Sequence, residues 1–146
     1  MLRRRLRPDL QEVPIKQAKQ LPASHVRGRE AEDAAAARLV ANGFRVLWRN
    51  TRIGALEVDI VAVKGDLALV VEVRTRGVGS YAGALASIDR KKRRHLVSAA
   101  RALWRGRLKK MTDLRRVRID VAAVSFDADG APSVEWIAGA ITENDA

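Results

Sequence analysis

The sequence predicts an α/β fold, a mixed β-sheet flanked by helices in the order α-β-β-β-α-β-β. Three observations carry that expectation. Two β-branched apolar runs, Ala55–Val63 and Leu67–Thr75, flank a Gly65-Asp66 pair, the pattern of a β-hairpin. An alanine-rich segment before them and a strongly basic one after them have the composition of helices. Further strand-like runs follow the second helix, so hairpin-linked strands and helix-separated strands share one chain.

The elements follow in order. Residues 1–26 contain Pro8, Pro14 and Pro22, scattered charge and no sustained period. They read as a basic, disordered or loosely attached tail, leaving 27–146 as the domain. Arg29 to Asn42 reads as a helix that stops at Asn42-Gly43. Residues 44–49 alternate Phe44, Val46 and Trp48 with Arg45 and Arg49, a half-buried strand whose pattern Leu47 breaks. Gly65-Asp66 predicts a type II′ turn between the second and third strands. Gly77, Gly79 and Gly83 read as a flexible loop with Tyr81 as its exposed aromatic. Asp89 to Arg107 is a long amphipathic helix with an apolar stripe of Leu96, Ala99, Ala100, Leu103 and Leu108. Val117–Phe126 is a strand, Asp127–Gly130 a turn, and Ser133–Ile137 a last strand. Trp48, Trp104 and Trp136 read as core or rim residues.

Composition excludes several classes of function. The chain has 146 residues and no cysteine, so disulfide frameworks and thiolate zinc sites are out. Two histidines, His25 and His95, cannot build a multi-histidine metal site. No apolar run reaches the ~20 residues of a membrane span. The arginine-rich N-terminus lacks the apolar segment of a secretory signal, so the expected location is the cytoplasm, away from any membrane.

The charge is uneven. The net charge is +11, yet residues 28–89 are neutral and residues 119–146 carry six acids and no base. Residues 90–118 hold thirteen basic side chains against Asp113 alone. Solvated helix faces normally interleave acids with bases. A concentrated basic segment is instead the electrostatic footprint of a phosphate-binding protein. Arg90, Arg94, Arg101 and Arg105 fall on one stripe of the helix, and with Lys92 they are the candidate nucleic-acid contacts.

Strand geometry selects a second site. Successive strand side chains alternate faces, so Glu57, Asp59, Val61 and Val63 share one face of their strand. Ala68, Val70, Glu72 and Arg74 share a face of the next. If the hairpin turns on Gly65-Asp66, Lys64 pairs with Leu67, Asp59 faces Glu72, and Glu57 faces Arg74. Facing residues lie about 5 Å apart at Cβ, so the two carboxylates repel and raise each other's pKa. Either Arg74 or a hard cation such as Mg²⁺ or Mn²⁺ can compensate them. A polar face held by a Glu57–Arg74 salt bridge accounts for the same residues without any metal.

Six blocks of the chain resemble the YraN family of bacterial proteins. They are Gly28-Arg29-Glu30-Ala31-Glu32, Gly43 through Arg52, Glu57-Val58-Asp59-Ile60-Val61-Ala62, Val71-Glu72-Val73-Arg74-Thr75-Arg76, Ser87 through Arg94, and Arg118-Ile119-Asp120-Val121. The resemblance spans about residues 28–125. It implies a restriction-endonuclease-like fold related to archaeal Holliday junction resolvases, with a PD-(D/E)xK-type site. On that basis Asp59 is the signature aspartate and Glu72 the following acid, both metal ligands, and Glu32 joins them from the first helix as a third. Two residues depart from the pattern. Leu56 stands where the family usually has glycine, and Arg74 stands at the signature lysine. Arginine stays charged and cannot serve as a base, but it can stabilise charge on a phosphate under attack.

The expected function is therefore nucleic-acid binding, with branched or structured DNA as the expected substrate of a Mg²⁺- or Mn²⁺-dependent phosphodiester-hydrolysing site formed by Glu32, Asp59, Glu72 and Arg74. The alternative is a catalytically inactive nucleic-acid-binding module on the same fold. An adaptor for acidic protein partners is a third reading. A homodimer is expected only by analogy with the resolvases.

Overall fold

The computed structural model describes residues 23–75 and 81–146, without the side chains of residues 23–26 and 81–82. The elements are α1 (Ala23–Ala41), β1 (Arg45–Ile53), β2 (Leu56–Lys64), β3 (Leu67–Thr75), α2 (Tyr81–Ala86), α3 (Arg90–Gly106), β4 (Arg116–Phe126) and β5 (Pro132–Ile141). Short 3-10 turns cover Leu108–Lys110 and Glu143–Asp145. Residues 1–22 of the expected tail over 1–26, and the glycines Gly77 and Gly79, lie outside the described residues.

The five strands form one sheet in the order β1-β2-β3-β4-β5. All neighbours are antiparallel except β3 and β4, which run parallel. A parallel pair needs a long crossover, and α2 with α3 supplies it. This is the mixed α/β sheet flanked by helices that the sequence predicts, with α2 as one helix more than the expected order.

The hairpin register is the expected one. Lys64 pairs with Leu67, Val61 with Val70 and Ile60 with Val71. Gly65 takes a φ of 59° while Asp66 keeps a negative φ, the type II′ combination. Alternation then sends β3 side chains to two cores. Ala68 and Val70 pack with Leu96, Val97, Ala100 and Leu103 of α3. Leu67, Leu69 and Val71 pack with Ala35 and Leu39 of α1. With both faces covered, β3 is buried along most of its length, which is why it reads as a continuous apolar run.

Four element boundaries differ from expectation. Helix α1 begins at Ala23 and not near Arg29, so part of the supposed tail is helical. The half of the glycine loop from Tyr81 onward folds as α2; the side chain of Tyr81 lies outside the described residues. Strand β1 runs on to Ile53. Its register shifts between Val46 and Trp48, so Leu47 is the extra residue of a β-bulge. Both Leu47 and Trp48 accordingly pack on the α3 side. Strand β5 extends to Ile141 through Gly139, which has a φ of 61°.

That last irregularity has a cause. Asp120 on β4 is fully buried where the β4–β5 register shifts between Ile119 and Val121. Its carboxylate accepts hydrogen bonds from Arg118 Nε at 2.8 Å, Trp136 Nε1 at 2.8 Å and the Gly139 amide at 2.9 Å. A buried carboxylate is tolerated only when paired and bonded in this way. The Arg-x-Asp block of the sequence is thus a structural knot that ties two strands together. Among the described residues, no helix is long and apolar enough to cross a membrane.

Candidate active site

The regular β2–β3 ladder reaches Ile60–Val71 and does not include the next rung. Strand β3 continues against β4, with Glu72 opposite Val121 and Arg74 opposite Ala123. On its other side the Val73 amide donates to Asp59 Oδ2 at 2.8 Å, so a carboxylate takes the place of a strand carbonyl. This brings the Asp59 carboxyl group beside that of Glu72.

Burial dominates the electrostatics of this pair. The Glu72 side chain is only 6% exposed. Loss of solvent, and then the neighbouring Asp59 charge, push the Glu72 carboxyl from its ordinary 4.5 up to about 7. Asp59 is also raised, chiefly by burial, against the pull of the Val73 amide and the Lys92 charge. Two cations face the pair. Arg74 places NH2 3.0 Å from Glu72 Oε2, and Lys92 places Nζ 3.8 Å from Glu72 Oε1. The Arg74 Nε is buried without a partner among the described residues. Arg74 thus compensates Glu72, one of the two expected means of balancing the pair, and does not form the Glu57–Arg74 bridge of the metal-free alternative, because it lies next but one to Glu72 on the same strand face.

Sequence reasoning placed Lys92 among the phosphate contacts and missed its position at this site. The signal was present. Residues 92, 96, 99 and 103 follow the helical step, so the stripe that buries Leu96, Ala99 and Leu103 also turns Lys92 toward the sheet. Asp89 caps α3 by accepting from the Lys92 amide at 2.7 Å, which fixes where that first turn begins.

Glu32 does not join the pair. Its carboxylate accepts from Asn50 Nδ2 at 3.0 Å and lies 3.6 Å from Arg49 NH2. Among the described residues no group of three acidic, histidine or cysteine side chains is placed to hold a metal ion. The reason is the packing: α1 covers the face opposite α3, and Glu32 is held by β1. Asn50 itself adopts a φ of 51°, a conformation asparagine tolerates better than most residues.

The donor set fits a hard divalent cation. It consists of two carboxylates, which is what Mg²⁺ asks of a protein while retaining waters. Burial is the main cause of their raised proton affinity, and a cation brought to the pair would offset it.

The basic residues of α3 divide into separate groups. Arg90 and Arg94 are exposed and line a cleft of about 310 Å³ with Asn144 and Asp145. Arg105 is exposed beside Trp104 on a cavity of about 420 Å³. Arg101 is ion-paired with Glu143. Arg93 donates to the carbonyls of Ile88 and Leu85, tying α3 to the end of α2. The expected arginine stripe is therefore only partly free, because the acidic C-terminal turn folds against it.

A family model described as "Uncharacterised protein family UPF0102" matches residues 31–124. A UPF0102 protein of Sorangium cellulosum is 43% identical over 122 residues, covering 82% of this chain and 85% of that protein. One from Methylococcus capsulatus is 42% identical over 117 residues, covering 78% and 89%. Two solved structures are also similar in outline. An XisH family protein from Nostoc punctiforme has a TM-score of 0.40 at 12% identity, covering 73% of this chain and 98% of that one. Pyrococcus furiosus SfsA in complex with Ca²⁺ has a TM-score of 0.41 at 15% identity, covering 80% and 64%.

Proposed function

The chain belongs to the UPF0102 family, the YraN family that its motifs resemble, and we propose that it is a nucleic-acid-binding protein that hydrolyses phosphodiester bonds at Asp59 and Glu72, acting on branched or structured DNA. One observation carries the reading. A buried Glu72 and a half-buried Asp59 stand side by side on adjoining strands, both with proton affinity raised by burial, and two cations face them.

Asp59 and Glu72 would hold Mg²⁺ or Mn²⁺. Such an ion makes a bound water acidic and offsets charge on a phosphate. The chain's own residues do the rest. The Val73 amide holds the Asp59 carboxylate in place. Arg74 and Lys92 concentrate positive charge where the phosphate gains negative charge during attack. Arg90, Arg94 and Arg105 hold the backbone of the nucleic acid without reading sequence. Overall one water is consumed: its oxygen bonds to phosphorus, the P–O bond to the leaving strand breaks, and a proton ends on the leaving oxygen.

The inactive-module reading rests on Arg74, which is bonded to Glu72 and cannot give up its proton. Incubation of linear, flapped and four-way DNA with the protein in Mg²⁺ or Mn²⁺ separates the two. Metal-dependent cutting that Asp59→Asn abolishes supports the enzyme. Tight DNA binding without cutting establishes the inactive module. Cutting that survives in Asp59→Asn belongs to a contaminant.

A further inference from the structure

We propose that Lys92 is the lysine of this site, reaching it from helix α3 to do what the side chain at position 74 on β3 cannot. The inference rests on the hydrolytic reading above and names a further residue for it.

Three features of the geometry point to Lys92. Its Nζ stands 3.8 Å from Glu72 Oε1. That is close enough for charge to act and too far for a hydrogen bond, so its donors are not committed to the carboxylate. Arg74, by contrast, is already bonded to Glu72 at 3.0 Å. Second, the Lys92 side chain is 35% exposed where that of Glu72 is 6% exposed. Lys92 therefore spans from the solvent rim to the buried acids. Third, it stands in the first turn of α3 on the side turned toward the sheet, opposite the exposed Arg90 and Arg94, so it is the basic side chain of that turn that faces the carboxylates.

The ammonium acts as a donor and a fixed charge. It orients the attacking water and binds a non-bridging oxygen of the scissile phosphate, whose negative charge grows as the water oxygen bonds to phosphorus. No proton leaves Lys92 in this step.

The absence of cysteine from the chain permits a clean test. Lys92→Cys introduces a unique thiol, and alkylation with 2-bromoethylamine rebuilds an ammonium at almost the same reach. Cleavage of four-way or flapped DNA in Mg²⁺ is followed at saturating protein, with DNA affinity measured separately. The expected result is a loss of ~10²-fold in rate at saturating protein for Lys92→Cys, beyond any loss of DNA affinity, and recovery of most of the rate on alkylation. Arg74→Lys should not raise the rate, since the lysine is already supplied. Lys92→Cys cutting at the wild-type rate overturns the inference and leaves the hydrolytic reading intact. So does a loss that alkylation fails to repair, which indicates a packing role, and so does a rate gain of tenfold or more in Arg74→Lys. A wild-type protein that binds DNA and never cuts overturns both.

Discussion

Ionising Glu72 should weaken the folded protein, and the size of the effect follows from the site. The carboxyl moves from its ordinary 4.5 to about 7 on folding, through burial and the Asp59 charge. The folded state therefore keeps a proton that the unfolded chain releases above pH ~4.5. Stability is highest below that pH and falls as pH rises toward 7. One pKa unit is worth ~1.4 kcal/mol, so the full loss is ~3 kcal/mol. The attraction of Arg74 and Lys92 is already inside that figure. Glu72→Gln resembles the protonated side chain at every pH, so it should match wild type near pH 4.5 and exceed its stability by up to ~3 kcal/mol at pH 8. Urea unfolding from pH 4.5 to 8 in the presence of EDTA reads this directly, provided the urea dependence stays constant. Millimolar Mg²⁺ at pH 8 should close the gap by stabilising wild type alone. Parallel pH profiles for the two proteins would refute the assignment of Glu72 as a charge held at a cost.

Duplex DNA binding should weaken steeply with salt, and replacing Arg90, Arg94 and Arg105 with glutamine should flatten the log–log salt slope by about 0.9 for each phosphate that is no longer neutralised. Filter binding from low to high salt measures this; an unchanged slope means these arginines only face solvent. Arg101→Gln should cost less affinity than Arg94→Gln, because Arg101 is engaged with Glu143, and the same assay should show Glu143→Gln tightening binding. Asp120→Ala removes a fully buried carboxylate and strands the partners that bond to it. The expected loss is ~3–5 kcal/mol by urea unfolding, and a loss below ~1 kcal/mol would contradict the knot between β4 and β5.

Much of the site was legible because a two-residue turn fixes register. Gly65-Asp66 sets Lys64 against Leu67, and strand alternation then brings residues 59 and 72 together. Leu47 was legible as an irregularity, and the bulge at Val46/Trp48 explains it. Other features depended on tertiary partners. The extension of β5 to Ile141 passes through a left-handed glycine held by Asp120, which no local pattern reveals. Helix α2 forms where Gly83 suggested a loop, and Arg93 caps its end by donating to the Leu85 carbonyl. The ladder was expected to continue through Asp59, whereas the carboxylate itself takes the Val73 amide. Motif resemblance gathered Glu32 into the site, but Asn50 and Arg49 hold that side chain on β1.

The account turns on whether Asp59 and Glu72 form one divalent-cation site. Titration of the metal-free protein with Mn²⁺ at pH 8, followed by the electron paramagnetic resonance of free Mn²⁺, tests this most directly. One bound ion per chain is the predicted result, abolished by Asp59→Asn and by Glu72→Gln, and weakened as pH falls below about 7 and Glu72 takes up its proton. Wild-type protein that leaves the Mn²⁺ signal free, or binding that both substitutions leave unchanged, would contradict it.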